Sequence, residues 1–139
     1  MLCLPFVFLP LLLTTTLGHE ILYLGTPASK TAAVHNTALF NTALAQLLPG
    51  DKLIVQNHTY WVAGGIHATS LHHVTIQLDG TLKFLPGRKG WPTHVCNANR
   101  IPLQPLKNGT CVQEALFIAN SSHLTFTSSG TGTVDGSGD

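Results

Sequence analysis

The segment LTFTSSGTGTVDGSGD, residues 124–139, decides the fold. It reads as a strand, a glycine turn, a short strand and an Asp-Gly turn, which is the pattern of one repeat of a β-solenoid. Such a repeat buries its apolar side only when another repeat stacks on it. Because no residue follows Asp139, we expect the chain to be the front end of a longer protein, truncated at its C-terminus. We also expect residues 19–139 alone to fold poorly.

One helix is predicted ahead of the strands, over residues 36–48. Apolar residues recur there at intervals of three and four, which places them on one face of a helix. Asn36 or Thr37 is suited to cap its start, and Pro49 ends it.

From Asp51 onwards the apolar residues alternate with a period of two, which is typical of strands. Strands are predicted at 53–55, 60–62, 74–78, 81–84, 115–119, 124–127 and 133–134. Ile54 and Ile76 occupy the same place in a strand–turn–strand pattern, at a spacing of about one turn of a parallel β-helix. The predicted class is therefore all-β, with an antiparallel β-sandwich as the alternative.

The first 18 residues are predicted to be a signal peptide, so the protein is expected to be secreted. Leu2 to Leu13 is an apolar run followed by small residues before His19, and it is too short to span a bilayer. The alternatives are a membrane anchor or a buried strand. After cleavage we expect no membrane association, an irregular lead-in at 19–30, and the N-terminal part of a β-helix domain at 31–139.

A long insertion is predicted at about 86–114, and it contains both cysteines of the mature chain. In an oxidising compartment Cys96 and Cys111 are expected to form a disulfide, with two free buried thiols as the alternative. Three Asn-x-Ser/Thr sequons agree with secretion. The candidate glycosylation sites are Asn57, Asn108 and Asn120.

The acidic residues are predicted to serve turns more than catalysis. Asp79 and Asp135 each precede a glycine; in this pair the carboxylate caps backbone N–H groups and the glycine takes the positive φ. The alternative is a stacked pair of carboxylates. The eight histidines lack metal-ligand spacing and are expected on surfaces or loops, so no metal is predicted.

Two tryptophans suit stacking on the apolar face of a sugar. Trp61 lies among strand residues and is predicted in the core. Trp91 lies in the insertion and is the candidate substrate-binding residue, with packing of the loop as the alternative.

The order of short motifs resembles the N-terminal portion of polygalacturonases, glycoside hydrolase family 28, in the pectin-lyase-like β-helix superfamily. The motifs are Thr59-Tyr60, Gly64-Gly65-Ile66, Val74 to Leu82 and Gly132 to Gly138. The resemblance implies a right-handed parallel β-helix with an N-terminal capping helix. It also implies a monomeric glycosidase without cofactors that hydrolyses pectic polysaccharide with inversion.

The family's catalytic segments do not occur in this chain, so no catalytic residue is assigned and the chain alone is expected to be inactive. The family's usual Asp-Asp-Thr is replaced by Val34 to Thr37. A non-catalytic carbohydrate-binding or wall-associated β-helix is the alternative function. A pectate-lyase-like protein is a third possibility, but no acidic cluster for calcium is visible. The net charge of +1 and the lack of a run of three basic residues argue against a nucleic-acid partner.

Overall fold

The structure of the protein is a computed structural model that describes residues 18–87, 90–95 and 109–137. Strands dominate these ranges, and one α-helix precedes most of them. In chain order the elements are β1 (Glu20–Leu22), a 3-10 turn (Lys30–Ala32), α1 (Ala33–Gln46), β2 (Lys52–Val55), β3 (Thr59–Val62), β4 (Ile66–Thr69), β5 (Thr75–Leu78), β6 (Thr81–Phe84), β7 (Thr93–Val95), β8 (Thr110–Val112), β9 (Leu116–Ala119), β10 (Thr125–Thr127) and β11 (Thr133–Asp135). No helix in the described ranges has the length and hydropathy needed to cross a membrane.

From β2 to β6 and from β9 to β11, strands that follow one another along the chain lie in different sheets, and each pairs with a strand of another repeat. The first sheet has the order β1-β2-β5-β10, the second β11-β6-β3, and the third β4-β9. Every pairing in these three sheets is parallel, and only β7 and β8 pair antiparallel among the described strands. The parallel pairing contradicts the antiparallel β-sandwich.

The repeat length is 23 residues in the first sheet and 22 in the second, because Leu53 lies opposite Ile76 and Tyr60 opposite Leu82. The expected equivalence of Ile54 and Ile76 is wrong by one residue, since Ile54 pairs with Gln77. A slip of one residue would turn the buried side chains outwards. Burial of Leu53 and Ile76 therefore sets the register.

A second spacing, of 50 residues, joins the repeats on either side of the insertion. Thr75 lies opposite Thr125, and His67 lies opposite Phe117. This pairing confirms the predicted match between the segments after Val74 and after Leu124. The insertion therefore adds about one further repeat length of chain between β6 and β9 without disturbing how the strands stack.

Alternate residues of the strands point into a common apolar interior. The buried set is Leu53, Val55, Tyr60, Val62, Ile66, Ala68, Ile76, Leu78, Leu82 and Phe84. The remaining residues of these strands are exposed or half-buried, which is the alternation that the sequence showed. Full burial of one large apolar side chain stabilises a fold by about 1.5–3 kcal/mol, so this interior is the main stabilising feature of the stacked repeats.

The predicted helix is present, but it begins at Ala33 and ends at Gln46. Asn36 and Thr37, expected to cap its start, lie inside the helix and are buried. Their side chains hydrogen-bond to other segments of the chain instead of capping the helix. The predicted start at residue 36 is therefore three residues too late. Leu47 is already extended and follows the last helical turn.

Polar side chains of α1 cover the free edges of β3 and β4. Asn36 Nδ2 donates to the Trp61 carbonyl at 2.9 Å, and Thr37 Oγ1 accepts from the Ala63 N–H at 2.9 Å. One turn further along the helix, Asn41 Nδ2 donates to the Gly65 carbonyl and its Oδ1 accepts from the next strand, each at 2.9 Å. The helix therefore satisfies backbone groups that would otherwise remain unpaired at these edges.

The lead-in at 19–30 is more ordered than expected. Its strand β1 pairs with β2 and covers the first edge of the first sheet. Tyr23 follows β1 and is buried, with its ring 4.9 Å from Tyr60 and 5.1 Å from Phe40. The expected irregular lead-in is therefore corrected to a strand followed by an aromatic anchor.

The opposite edges of the sheets present apolar side chains to solvent. Leu116, Phe126 and Val134 are 44%, 52% and 62% exposed, although each occupies a position that points towards the interior. Together with buried residues of the earlier repeats they line an apolar depression at this end.

Candidate functional site

A cleft of about 440 Å³ lies where α1, the third sheet and the β7–β8 pair of the insertion meet. Its polar and aromatic lining consists of Asn41, His67, His94, Gln113, Glu114 and Phe117. Concave sites with a few converging polar groups are the usual form of a small-ligand site. No part of this cleft was expected from the sequence.

Two parallel rings form one wall of the cleft. His67 of β4 and Phe117 of β9 lie opposite each other in the third sheet. Their ring planes differ by 1° and their centroids are 5.7 Å apart, so the rings are offset-stacked. Because the strands are parallel and in register, the two rings form a continuous aromatic surface. Such a surface suits the apolar C–H face of a pyranose.

The polar groups of the cleft have different roles. Both amide atoms of Asn41 are occupied by the backbone of β4, so Asn41 positions the strand that carries His67. The Gln113 carboxamide and the His94 imidazole have no hydrogen-bond partner among the described residues. Both groups donate and accept hydrogen bonds, which matches the hydroxyl groups of a sugar. The Glu114 carbonyl accepts a hydrogen bond from the Gly65 N–H at 2.7 Å, which joins two segments that line the cleft.

Three carboxylates are bound to backbone N–H groups and have lowered pKa values. The His19 and Leu48 N–H groups, each 2.8 Å away, hold the pKa of Asp51 below its usual range. The Ser129 N–H, 2.7 Å away, has the same effect on the pKa of Asp79. These hydrogen bonds favour the charged carboxylate, so neither residue is suited to donate a proton.

Asp135 also has a lowered pKa, chiefly because Lys83 Nζ lies 2.8 Å away and secondarily because the Ser137 N–H donates to it. The predicted local cap at Asp135 is confirmed by that second contact, whereas the Asp79 carboxylate reaches a residue of the next repeat. Asp135 lies opposite Lys83 in the sheet, so the two aspartates do not form a stacked pair.

The expected positive φ at the glycine after each aspartate is wrong. Neither Gly80 nor Gly136 has a positive φ. Gly80 is needed for space, because a Cβ there would meet the carbonyl oxygens of Gln56 and His58. Close approach of two turns, and not backbone conformation, therefore fixes this glycine.

The structure corrects the expected place of Trp61 and shows a packing contact for Trp91. Trp91 is half-buried, donates from Nε1 to the Leu85 carbonyl at 3.0 Å, and packs beside Gly64. Its packing contact is thus established, and substrate binding by Trp91 stays a prediction. Trp61 is not a core residue: it lies on the outer face of β3, because its neighbours Tyr60 and Val62 occupy the inward positions.

The predicted glycosylation and disulfide residues lie partly within the described ranges and partly outside them. Asn57 and Asn120 are exposed in turns, and Asn108 lies outside the described residues. Cys111 is disulfide-bonded and buried in β8; its expected partner Cys96 lies outside the described residues. Glycan occupancy and the pairing itself stay predictions.

The histidines are on the surface, as predicted: seven of the eight are exposed and His94 is half-buried. His73 and His123 stack with their ring centroids 4.3 Å apart, at the same 50-residue spacing as His67 and Phe117. That repeated spacing is the sequence signal that could have located the aromatic wall of the cleft. Over the ranges that the structure describes, no three His, Cys, Asp or Glu side chains form a potential metal site.

No protein-family model, curated protein or solved structure matches this chain.

Proposed function

We propose that this chain forms the first turns of a right-handed parallel β-helix of the polygalacturonase type, in a secreted protein that hydrolyses pectic polysaccharide with inversion. The observation that carries the proposal is the 22- to 23-residue spacing of in-register parallel strands in the first two sheets. The motif from Val74 to Leu82 spans β5, its turn and the start of β6, and the described part of the second motif, 132–137, contains β11; both observations support the proposal.

In this proposal the described residues bind the polysaccharide and cover one end of the sheets. They do not supply the catalytic acid and base. Inverting glycosidases use two carboxyl groups about 6.5–9.5 Å apart, one of them with a raised pKa. The pKa values of Asp51, Asp79 and Asp135 are lowered. The resemblance implies that the catalytic acids lie on later repeats.

The cleft supplies a contact for sugar residues close to the helix-covered end. Its stacked His67 and Phe117 rings offer an apolar surface, and Gln113 and His94 offer hydrogen-bonding groups beside it. This combination favours a polysaccharide chain as the ligand over a purely apolar one.

The test is an assay of the complete secreted protein on polygalacturonate. We expect new reducing ends, and proton NMR during the reaction should show the anomer opposite to that of the substrate linkage. Absence of new reducing ends between pH 4 and 8 would reject the hydrolase. A chain consisting of residues 19–139 should release none.

A second candidate is a non-catalytic carbohydrate-binding or wall-associated β-helix. The observation in its favour is that the three aspartates described above are held as carboxylates by structural hydrogen bonds. Retention of the complete protein on immobilised pectin without any turnover would support this candidate over the hydrolase.

A further inference from the structure

We propose that the outer face of the second sheet, at Trp61, Lys30 and Lys83, is a binding site for the uronate residues of an anionic polysaccharide. The choice of polygalacturonate as the particular ligand rests on the proposed function. The preference for an anionic sugar rests on the site alone. We call these three residues the Trp61 platform.

The platform is built by the register of the second sheet. Trp61 of β3, Lys83 of β6 and Asp135 of β11 lie opposite one another and form one outward row. A second outward row runs beside it, two residues earlier on each strand, and consists of Thr59, Thr81 and Thr133. Adjacent strands are about 4.8 Å apart, so these rows place hydroxyl, ammonium and aromatic groups side by side.

Two ammonium groups lie close to the indole ring of the platform. Lys30 Nζ is 5.1 Å and Lys83 Nζ is 5.3 Å from the Trp61 ring centroid. Both distances are within the range of cation–π attraction, which holds the flexible lysine side chains near the aromatic plane. A pyranose in contact with that ring would have its carboxylate within reach of a lysine.

The charge of the platform is not fully balanced. Lys83 pairs with Asp135 at 2.8 Å, and on another face Lys52 pairs with Glu20 at 2.9 Å. Within the part of the chain that the structure describes, no carboxylate lies within ion-pair distance of Lys30. Lys30 therefore leaves the platform with an excess positive charge that complements a uronate.

The experiment compares the affinity of the complete secreted protein for polygalacturonate, alginate and a neutral galactan. The test variants are Lys30→Met and Trp61→Leu. The matched control is Lys52→Met, which removes the same charge from a different face. We expect each test variant to bind polygalacturonate at least about threefold more weakly than the control, and we expect Lys30→Met to lessen the weakening by salt.

The outcomes distinguish failure of the Trp61 platform from failure of the proposed pectic ligand. Equal binding by Lys30→Met and Lys52→Met, with normal thermal stability, would overturn the platform while leaving the proposed function intact. Binding of alginate but not of polygalacturonate, with the same dependence on Lys30, would support the platform and reject the pectic ligand. Equal affinity of the unmodified protein for galactan and polygalacturonate would overturn recognition of the uronate.

An independent observation at the start of the described chain supports a second inference: the geometry points to a buried ion pair formed by proteolytic maturation. The peptide nitrogen of His19 donates to Asp51 Oδ1 at 2.8 Å, and the Asp51 side chain is only 5% exposed. Hydrolysis of the Gly18–His19 bond by a signal peptidase consumes one water and leaves a carboxylate on Gly18. The released amine of His19 takes up a proton and becomes an ammonium group at the same carboxylate.

This inference predicts that the secreted protein begins at His19 and is stabilised by its new terminus. A form that retains Gly18 before His19 moves the ammonium charge away from Asp51. We expect it to melt about 4 °C lower, and we expect Asp51→Asn to abolish the difference between the two forms. A different N-terminal residue in the secreted protein, or equal melting temperatures of the two forms, would overturn the inference.

Discussion

Asn36 joins three parts of the chain through one fully buried side chain. Its Nδ2 donates to the carbonyls of Thr26 and Trp61, and its Oδ1 accepts from the Thr26 N–H, each at 2.8–2.9 Å. Its own carbonyl accepts the Tyr23 hydroxyl at 2.8 Å. The lead-in, the helix and β3 are therefore joined through hydrogen bonds to Asn36. Burial of Tyr23 raises the pKa of its hydroxyl far above the usual range.

Replacing Asn36 by Ala is expected to destabilise the protein by about 3 kcal/mol, because it leaves several buried backbone groups without partners. Urea unfolding of the complete protein measures this change. The neighbouring exposed residue His35 provides the control, and His35→Ala should change the free energy of unfolding by less than about 0.5 kcal/mol. A loss of similar size in both variants would show that Asn36 does not have the role described here.

Asp51 should make the fold sensitive to acid. Its folded-state pKa lies below the unfolded value of about 3.9, so its stabilising effect is present above that pH and is lost as the pH falls through the folded-state pKa. Asp51→Asn should lower the melting temperature at pH 7 and flatten its fall below pH 4. Glu20→Gln, at an exposed ion pair, should do neither. An unchanged pH profile in Asp51→Asn would contradict the assignment.

At the scale of elements, α1 takes the place of a neighbouring strand. Its asparagine and threonine side chains bind alternate backbone groups of β3 and β4, from Trp61 to His67. Unpaired strand edges are where chains associate. The helix therefore closes one end of the sheets by hydrogen bonding as well as by the burial of Phe40 and Leu44.

This edge contact can be tested with Asn41→Leu, which removes the partners of the Gly65 carbonyl and the His67 N–H. We expect a loss of about 1–2 kcal/mol and faster hydrogen exchange at the His67 amide. Thr42→Ala, on the exposed side of the same helix turn, is the control and should leave that amide protected. Unchanged exchange at His67 in Asn41→Leu would refute the edge contact.

The sequence predicted the elements whose own residues show a regular apolar pattern. α1, β2, β3, β5 and β6 carry regular apolar patterns of their own. β1 was missed because it has only three residues, and β4 was missed although its four residues alternate, because its partner β9 lies 50 residues further along the chain. The cleft was missed for a related reason: His67 and Phe117 come together only through the 50-residue register across the insertion, and the length of the insertion is not a local property.

At the scale of the whole molecule, the two ends of the sheets differ. β1 and α1 cover one end, whereas β10 and β11 present exposed backbone edges and apolar side chains at the other. We therefore expect residues 19–139 to associate when isolated, since edge pairing and apolar contact act together.

Lysines on the outer face of the last strand of the first sheet should reduce that association. Thr125→Lys with Thr127→Lys places charges at an exposed edge and leaves Phe126 in its inward position. Light scattering of residues 19–139 should show smaller particles for this variant. Thr69→Lys, on the helix-covered β4, should have no effect. Equal particle size for all three chains would exclude the β10 edge as the association surface.

The insertion leaves the stacked strands after β6 and returns at β9, which still pairs in register with β4. We expect β9 to keep its place beside β4 when this segment is lengthened, because loop length adds only slowly to the entropy of closure. The corner between β6 and β9 is therefore a permissive splice point. A peptide tag or a small folded domain inserted there would be displayed beside the cleft while the stacked sheets keep their arrangement.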